Sequence, residues 1–251
     1  MSDYGDFGDD IDYDPDGIIV DENYDGDNGI NFEDMFLQAR GDIQLYRELI
    51  SLEKDNSTSF QWGYQAYEQI CYILLNEKNM DELKENLSCL FNLYQNVDDI
   101  YRQDTVRNLC SAVNNLKDDE FGLEAIRTIL EMLKEKEISR EVTNAGLYYA
   151  RKLMELNKVD ELGEVVDDLL NYMLMIDDFN EIHKSTKLEL LVMKIHYCNS
   201  KGLFKECRKV YYEAFDLNKD IIIEEFKLSA IIYEQGGKLD MKLKNFEGAL
   251  E

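Results

Sequence analysis

Between Ser59 and Tyr94 the apolar positions fall into two stripes. Gly63, Ala66, Tyr67, Ile70, Ile73 and Leu74 recur at three- and four-residue steps, and Met80, Leu83, Leu87, Leu90, Phe91 and Tyr94 do the same after a short polar break. Such spacing places each set on one face of a helix of about 3.6 residues per turn. Asn79 stands where it caps the second helix, with Glu82, three residues on, positioned to reach back toward the free amides of the first turn. The segment predicts a helical hairpin. A hairpin with two apolar faces must stack on neighbours to bury both.

The same periodicity continues along the chain, with helices predicted at 32–40, 42–53, 59–76, 80–95, 98–114, 118–135, 140–157, 159–176, 179–200, 202–216, 219–235 and 239–251. The only proline is Pro15, so nothing after Phe32 forbids continuous helix by that route. The opening of the second helix, Met80-Asp81-Glu82-Leu83, recurs as Asp118-Asp119-Glu120-Phe121, Val159-Asp160-Glu161-Leu162 and, more loosely, Phe204-Lys205-Glu206-Cys207 and Phe246-Glu247-Gly248-Ala249. The successive intervals are 38, 41, 45 and 42 residues. A period near 40 built from paired helices predicts an all-α, right-handed superhelical solenoid of tetratricopeptide-like hairpins, with helices longer than those of the 34-residue standard. The predicted arm spans 31–251. Its last apolar face, Phe246, Ala249 and Leu250, is expected to lie at an uncapped end.

Charge changes the picture at the N-terminus. Met1 to Asn28 carry eleven carboxylates and no Lys or Arg, which predicts a disordered acidic tail over 1–30. Asp12 to Gly17 matches the start of a calcium loop, but Asn23 stands where the bidentate Glu belongs, so calcium is not expected. The whole chain of 251 residues has 53 acidic against 27 basic residues and a net charge of −26, which excludes a nucleic-acid binder and favours basic partners. No apolar run approaches the roughly 20 residues of a membrane span. Five cysteines without a close-spaced pair, and no hydrophobic leader, predict reduced thiols in cytoplasm and nucleus.

Chemistry is harder to place. His183 and His196 lie in no zinc-binding arrangement, and His196 and Cys198 point to different faces of a helix. A helical metal protein or enzyme built on these histidines and on Cys71, Cys89, Cys110, Cys198 and Cys207 is the alternative from another class. The thiols sit on or beside apolar stripes, where burial makes them inert. No catalytic residue, metal ligand or cofactor is assigned. Trp62 and Gly63 read as a packed joint between helices, and Gly236 and Gly237 as a helix-ending turn. Lys201, Lys205, Arg208, Lys209, Lys238, Lys242 and Lys244 gather basic charge near the C-terminal end of an otherwise acidic chain.

The run Gln61-Trp62-Gly63-Tyr64-Gln65-Ala66-Tyr67-Glu68-Gln69-Ile70, the Asp-rich start before it and Ile231-Ile232-Tyr233-Glu234-Gln235-Gly236-Gly237-Lys238-Leu239 near the end resemble one family. It is the family of second subunits of the COP-nine signalosome, within the PCI proteins. The resemblance implies a non-catalytic scaffold whose helical arm grips the cullin C-terminal region and RING protein of cullin-RING ubiquitin ligases. A different subunit, a zinc isopeptidase, then removes the ubiquitin-like modifier (deneddylation). It also implies other signalosome subunits as partners and a PCI and winged-helix domain, before which residue 251 is expected to stop. Family members use basic residues on this arm for partner contacts and for an inositol phosphate. Here Gln65 and Tyr233 occupy two of those basic positions, which weighs against inositol phosphate, while Lys238 is retained. Lys238 and Lys242 are the expected partner-binding residues. The related helical arm of a proteasome-lid subunit is the nearest alternative.

Overall fold

The repeated tetrapeptides mark where helices begin. In the computed structural model, which describes residues 30–56, 60–175, 181–220 and 226–242, α1 (Phe32–Gln38) and α2 (Ile43–Asn56) lead into α3 (Gln61–Glu77), α4 (Met80–Asn92), α5 (Asp99–Asn114) and α6 (Asp119–Glu135). These are followed by α7 (Ser139–Glu155), α8 (Val159–Met173), α9 (Glu181–Lys201), α10 (Phe204–Asp220) and α11 (Phe226–Lys242). Four of the five tetrapeptides thus stand at the starts of α4, α6, α8 and α10; the fifth, at Phe246, lies outside the described residues, as do the acidic tail and the calcium-like Asp12 to Gly17. The chain divides into Met1–Asn31 and Phe32–Glu251, and all eleven α-helices of the described residues fall in the second unit.

The turns explain why the helices pair. At Lys78, Asn157 and Gly202 the chain turns left-handed (φ 58°, 54° and 70°) between the two helices of a hairpin. In each case the next amide bonds back to a carbonyl five residues earlier, Asn79 to Leu74, Lys158 to Leu153 and Leu203 to Cys198, at 3.1, 2.9 and 2.8 Å. This is the Schellman closure, which satisfies carbonyls that the helix end leaves open. It also alters the expected capping. Asn79 Oδ1 accepts from the Glu82 N–H at 3.4 Å, but the Asn79 amide is already committed to Leu74, so Glu82 instead accepts from Asn79 Nδ2 at 3.0 Å and pairs with Arg47 at 2.8 Å.

Odd-numbered helices from α3 to α11 each touch the next odd one, and α4 touches α6, so successive hairpins lie in register. Ion pairs tie equivalent places one repeat apart: Lys78 to Asp118 at 2.8 Å, Lys84 to Glu124 at 3.3 Å, and Arg151 to Glu189 through two bonds of 2.6 Å. The two exposed lysine pairs contribute about 0–1 kcal/mol each, while the Arg151–Glu189 pair is part-buried and bidentate. Burial does more. One core cluster runs from Ala39 and Tyr46 to Met173 and includes Leu190 and Met193 of α9; a second gathers Leu188, Leu191, Ile195 and Cys198 of the same helix with Cys207, Ala214, Ile232 and Leu239. Helix α9 therefore buries two faces. Its apolar residues surround it, unlike the single stripe of α8.

Glycines set how closely the helices approach. A Cβ on Gly146 would lie 2.3 Å from Leu169, and one on Gly163 would lie 2.4 Å from the Tyr197 ring. The expected helix-ending turn at Gly236 and Gly237 is not present: α11 runs unbroken through both. Gly236 is buried where a Cβ would meet the Tyr211 ring of α10 at 2.5 Å, so the glycine there makes room for a neighbouring helix rather than ending its own.

Between α3 and α5 lies a buried carboxylate. Glu68 is 6% exposed and accepts from the hydroxyls of Tyr72 at 2.8 Å and Tyr101 at 3.0 Å. Burial pushes its pKa up, against the smaller lowering by the two phenols, and burial likewise raises Glu53 against the lowering by two backbone amides. A carboxyl raised above its unfolded value, about 4.3, is held protonated more tightly in the folded state. Its contribution is fully present below that value and is lost as pH rises through the folded one. Lowering the pH from neutrality toward 5 is therefore expected to raise the thermal midpoint, and Glu68→Gln to flatten the dependence. Circular dichroism melts across this range test it; a midpoint that falls with acidification contradicts it.

Candidate partner-binding surfaces

Trp62 and Gly63 open α3 at a junction of three helices. Phe60 precedes them with φ 52° and offers no side-chain cap. The cap comes from α2: the Glu53 carboxylate, 1% exposed, accepts from the Trp62 N–H at 3.0 Å and from the Gly63 N–H. Two amides and the positive end of a helix offset part of the cost of burying that charge, and burial still holds its pKa up. Gly63 is needed because a Cβ there would lie 2.7 Å from Glu53 Oε2. The Trp62 ring is half-buried and packs on Phe36 of α1 at 5.7 Å between centroids, and Phe36 in turn meets Tyr46 of α2 at 5.5 Å. Glu53 escapes a reading of motifs, yet it shares the core-facing stripe of α2 with Tyr46 and Leu49. A carboxylate in an apolar stripe is the signal that identifies it.

The basic residues of α10 and α11 lie among aromatic rings. Lys238 is exposed and pairs with Glu234 one turn away, while Lys242 sits over the Phe204 ring at 5.2 Å. The two lysines are one turn apart on α11. Arg208 lies 5.6 Å over Tyr212, and Phe215 meets Tyr233 edge to face at 5.8 Å. Tyr233 and Tyr212 are about half exposed. Lys201 pairs with Asp160. Gln65, on α3, is far along the chain from this group and half-buried. Lys244 lies outside the described residues.

A groove of about 300 Å³ opens between α6 and α8. Its floor is Leu130, Val165 and Leu169, with Tyr149 of α7 set into it. Exposed charges rim both sides: Arg127, Glu131 and Lys134 along α6, and Glu161, Glu164 and Asp168 along α8. Arg127 and Glu131 pair at 3.0 Å.

Among the described residues no group of three or more His, Cys, Asp or Glu is placed to hold a metal ion. His196 is exposed while Cys198 is buried, and the side chain of His183 lies outside the described residues. All five cysteines are free. Burial pushes the thiols of Cys110 and Cys198 up to about 12 and raises Cys71 further, which holds them protonated and unreactive near neutrality. Glu68, the most enclosed acid paired with phenols, faces packed helices rather than the groove. No described helix is long and apolar enough to cross a membrane.

No protein-family model and no curated protein matches the chain. Solved structures do. The chain is similar to BtubC (BKLC) from P. vanneervenii, with 10% identity over 88% of this chain and 87% of that one and a TM-score of 0.51. It also matches a kinesin light chain of nearly identical TPR-like repeats from Podosopora anserina, with 10% identity over 76% and 97% and a TM-score of 0.40. At such identity the likeness concerns the fold alone. The class is an all-α solenoid of tetratricopeptide-like helical hairpins.

Proposed function

We propose that the chain is a non-catalytic scaffold, the helical arm of a signalosome-type subunit that docks cullin-RING ubiquitin ligases while another subunit removes the ubiquitin-like modifier. One observation carries this reading: the Trp62-Gly63-Tyr64 and Gly236-Gly237-Lys238 motifs of the resemblance lie on α3 and α11, in one stack of hairpins. Helical-repeat stacks present extended surfaces to other proteins, which suits a subunit that grips rather than reacts. Cytoplasm and nucleus are the compartments that fit this role.

Tagged chain mixed with a recombinant cullin C-terminal region and its RING protein is expected to co-elute with them in gel filtration. It is expected to show no isopeptidase activity by itself. Lys238→Glu combined with Lys242→Glu is expected to weaken the capture severalfold with unchanged circular dichroism. Absence of co-elution, or capture of proteasome-lid subunits alone from extract, overturns the reading.

A further inference from the structure

The groove between α6 and α8 has a composition that none of the preceding roles uses. Helices α4 and α6, the equivalent pair one repeat earlier, are clasped by Lys84–Glu124 and by Lys78 to the cap of α6. Between α6 and α8 there is open space of about 300 Å³ instead. Its floor is apolar: Leu130 and Leu169 are buried at 5% and 1% exposure, and Val165 is half-buried beside them. Its rim is acidic, with four carboxylates against two cations, and one of those cations, Arg127, is already engaged by Glu131. The three acids of α8, Glu161, Glu164 and Asp168, follow three- and four-residue steps and so line one edge together.

Tyr149 adds a phenol to the lining of the groove. The residue is 94% buried by its 6% exposure, lines the groove and feels the charges of Arg127, Glu161 and Glu131, so its phenol end is directed among them.

We propose that this groove docks a short basic peptide segment, one apolar side chain on the Leu130–Val165–Leu169 floor with Lys or Arg on either side meeting the rim of α8, and a backbone carbonyl accepting from Tyr149. Charge selects this occupant. The chain's own first 28 residues, with eleven carboxylates and no Lys or Arg, are repelled by the rim, and a second copy of a chain with net charge −26 is repelled as a whole. A phosphate-bearing ligand meets the same excess of carboxylates. Size agrees, since the volume suits one large side chain and its neighbouring backbone at the lower end of the range for ligand sites, about 300–1,000 Å³.

The test uses the full chain and a fluorescein-labelled nonapeptide, Ser-Gly-Arg-Lys-Leu-Arg-Lys-Gly-Ser, followed by fluorescence anisotropy at physiological salt. Saturable binding is expected. Replacing the peptide's Leu with Ser is expected to weaken it at least fivefold, and Tyr149→Phe in the protein a few-fold. The triple change Glu161→Lys, Glu164→Lys and Asp168→Lys is expected to weaken it at least tenfold. The triple change Asp81→Lys, Glu85→Lys and Glu120→Lys, on exposed positions away from the groove, is expected to leave it within twofold. Equal losses in the two triple variants, or equal binding of the Leu and Ser peptides, mean general attraction to an acidic surface and overturn the proposal, as does absence of binding. If the groove triple variant does not fold, the peptide pair and Tyr149→Phe decide the matter. Cullin capture and peptide docking are separate readouts, so either can fail while the other holds.

Discussion

Gly163→Ala is expected to destabilise the protein by about 1–3 kcal/mol, the usual range for forcing extra atoms into a packed core. In an open helix the same change stabilises by about 1 kcal/mol, because glycine loses more backbone freedom than alanine on folding. The sign reverses here because the new methyl carbon would stand 2.4 Å from the Tyr197 ring. That ring is not free to swing away: Lys194 lies over it at 4.7 Å, and the Lys194 ammonium is held by Asp167 at 2.6 Å and Glu206 at 3.3 Å. One added carbon thus disturbs the contact among α8, α9 and α10. Gly122→Ala is the internal control, since its Cβ would meet Val113 at an ordinary 3.5 Å, and that variant is expected to be neutral or slightly more stable. Urea unfolding followed by far-ultraviolet circular dichroism compares the two. A Gly163→Ala midpoint at or above that of Gly122→Ala removes the packing argument.

Glu53→Ala is expected to cost about 2–5 kcal/mol. The Trp62 and Gly63 amides would lose their acceptor, and each buried donor left without one costs about 1–3 kcal/mol. Because Trp62 is the only tryptophan, its fluorescence reports this event directly: its emission is expected to shift to the red at urea concentrations below those that unfold the remaining helices. Glu53→Gln keeps one acceptor oxygen and is expected to lose less. Unchanged emission and an unchanged midpoint in Glu53→Ala mean that α3 starts without help from α2.

The hairpin period was readable because local chemistry writes it out. An acidic pair followed by an apolar residue sits at the start of a helix for reasons confined to that turn, and α4, α6 and α8 begin where those residues stand. What could not be read depends on partners distant in sequence. Gly236 resembles a helix terminator to any local rule, and only Tyr211, on another helix, shows its use. Glu53 gives a weak sign of itself, as a carboxylate in the Tyr46–Leu49 stripe, but its acceptor role needs the start of α3 to arrive beside it. The groove was least legible. Charges spaced at three and four residues on α6 and α8 read as two solvated faces, and the distance between the helices is not encoded in either one.

The division of the core within α9 bears on how the molecule opens. Leu190 and Met193 belong to the cluster shared with the preceding helices, and Leu188, Leu191, Ile195 and Cys198 to the one shared with α10 and α11. Separation of α10 and α11 from the stack exposes only the second of these faces, while the first keeps α9 in place. Amide deuterium exchange would then proceed in two tiers, with α10 and α11 exchanging through a subglobal opening at lower free energy and α9 retaining its protection with the helices before it.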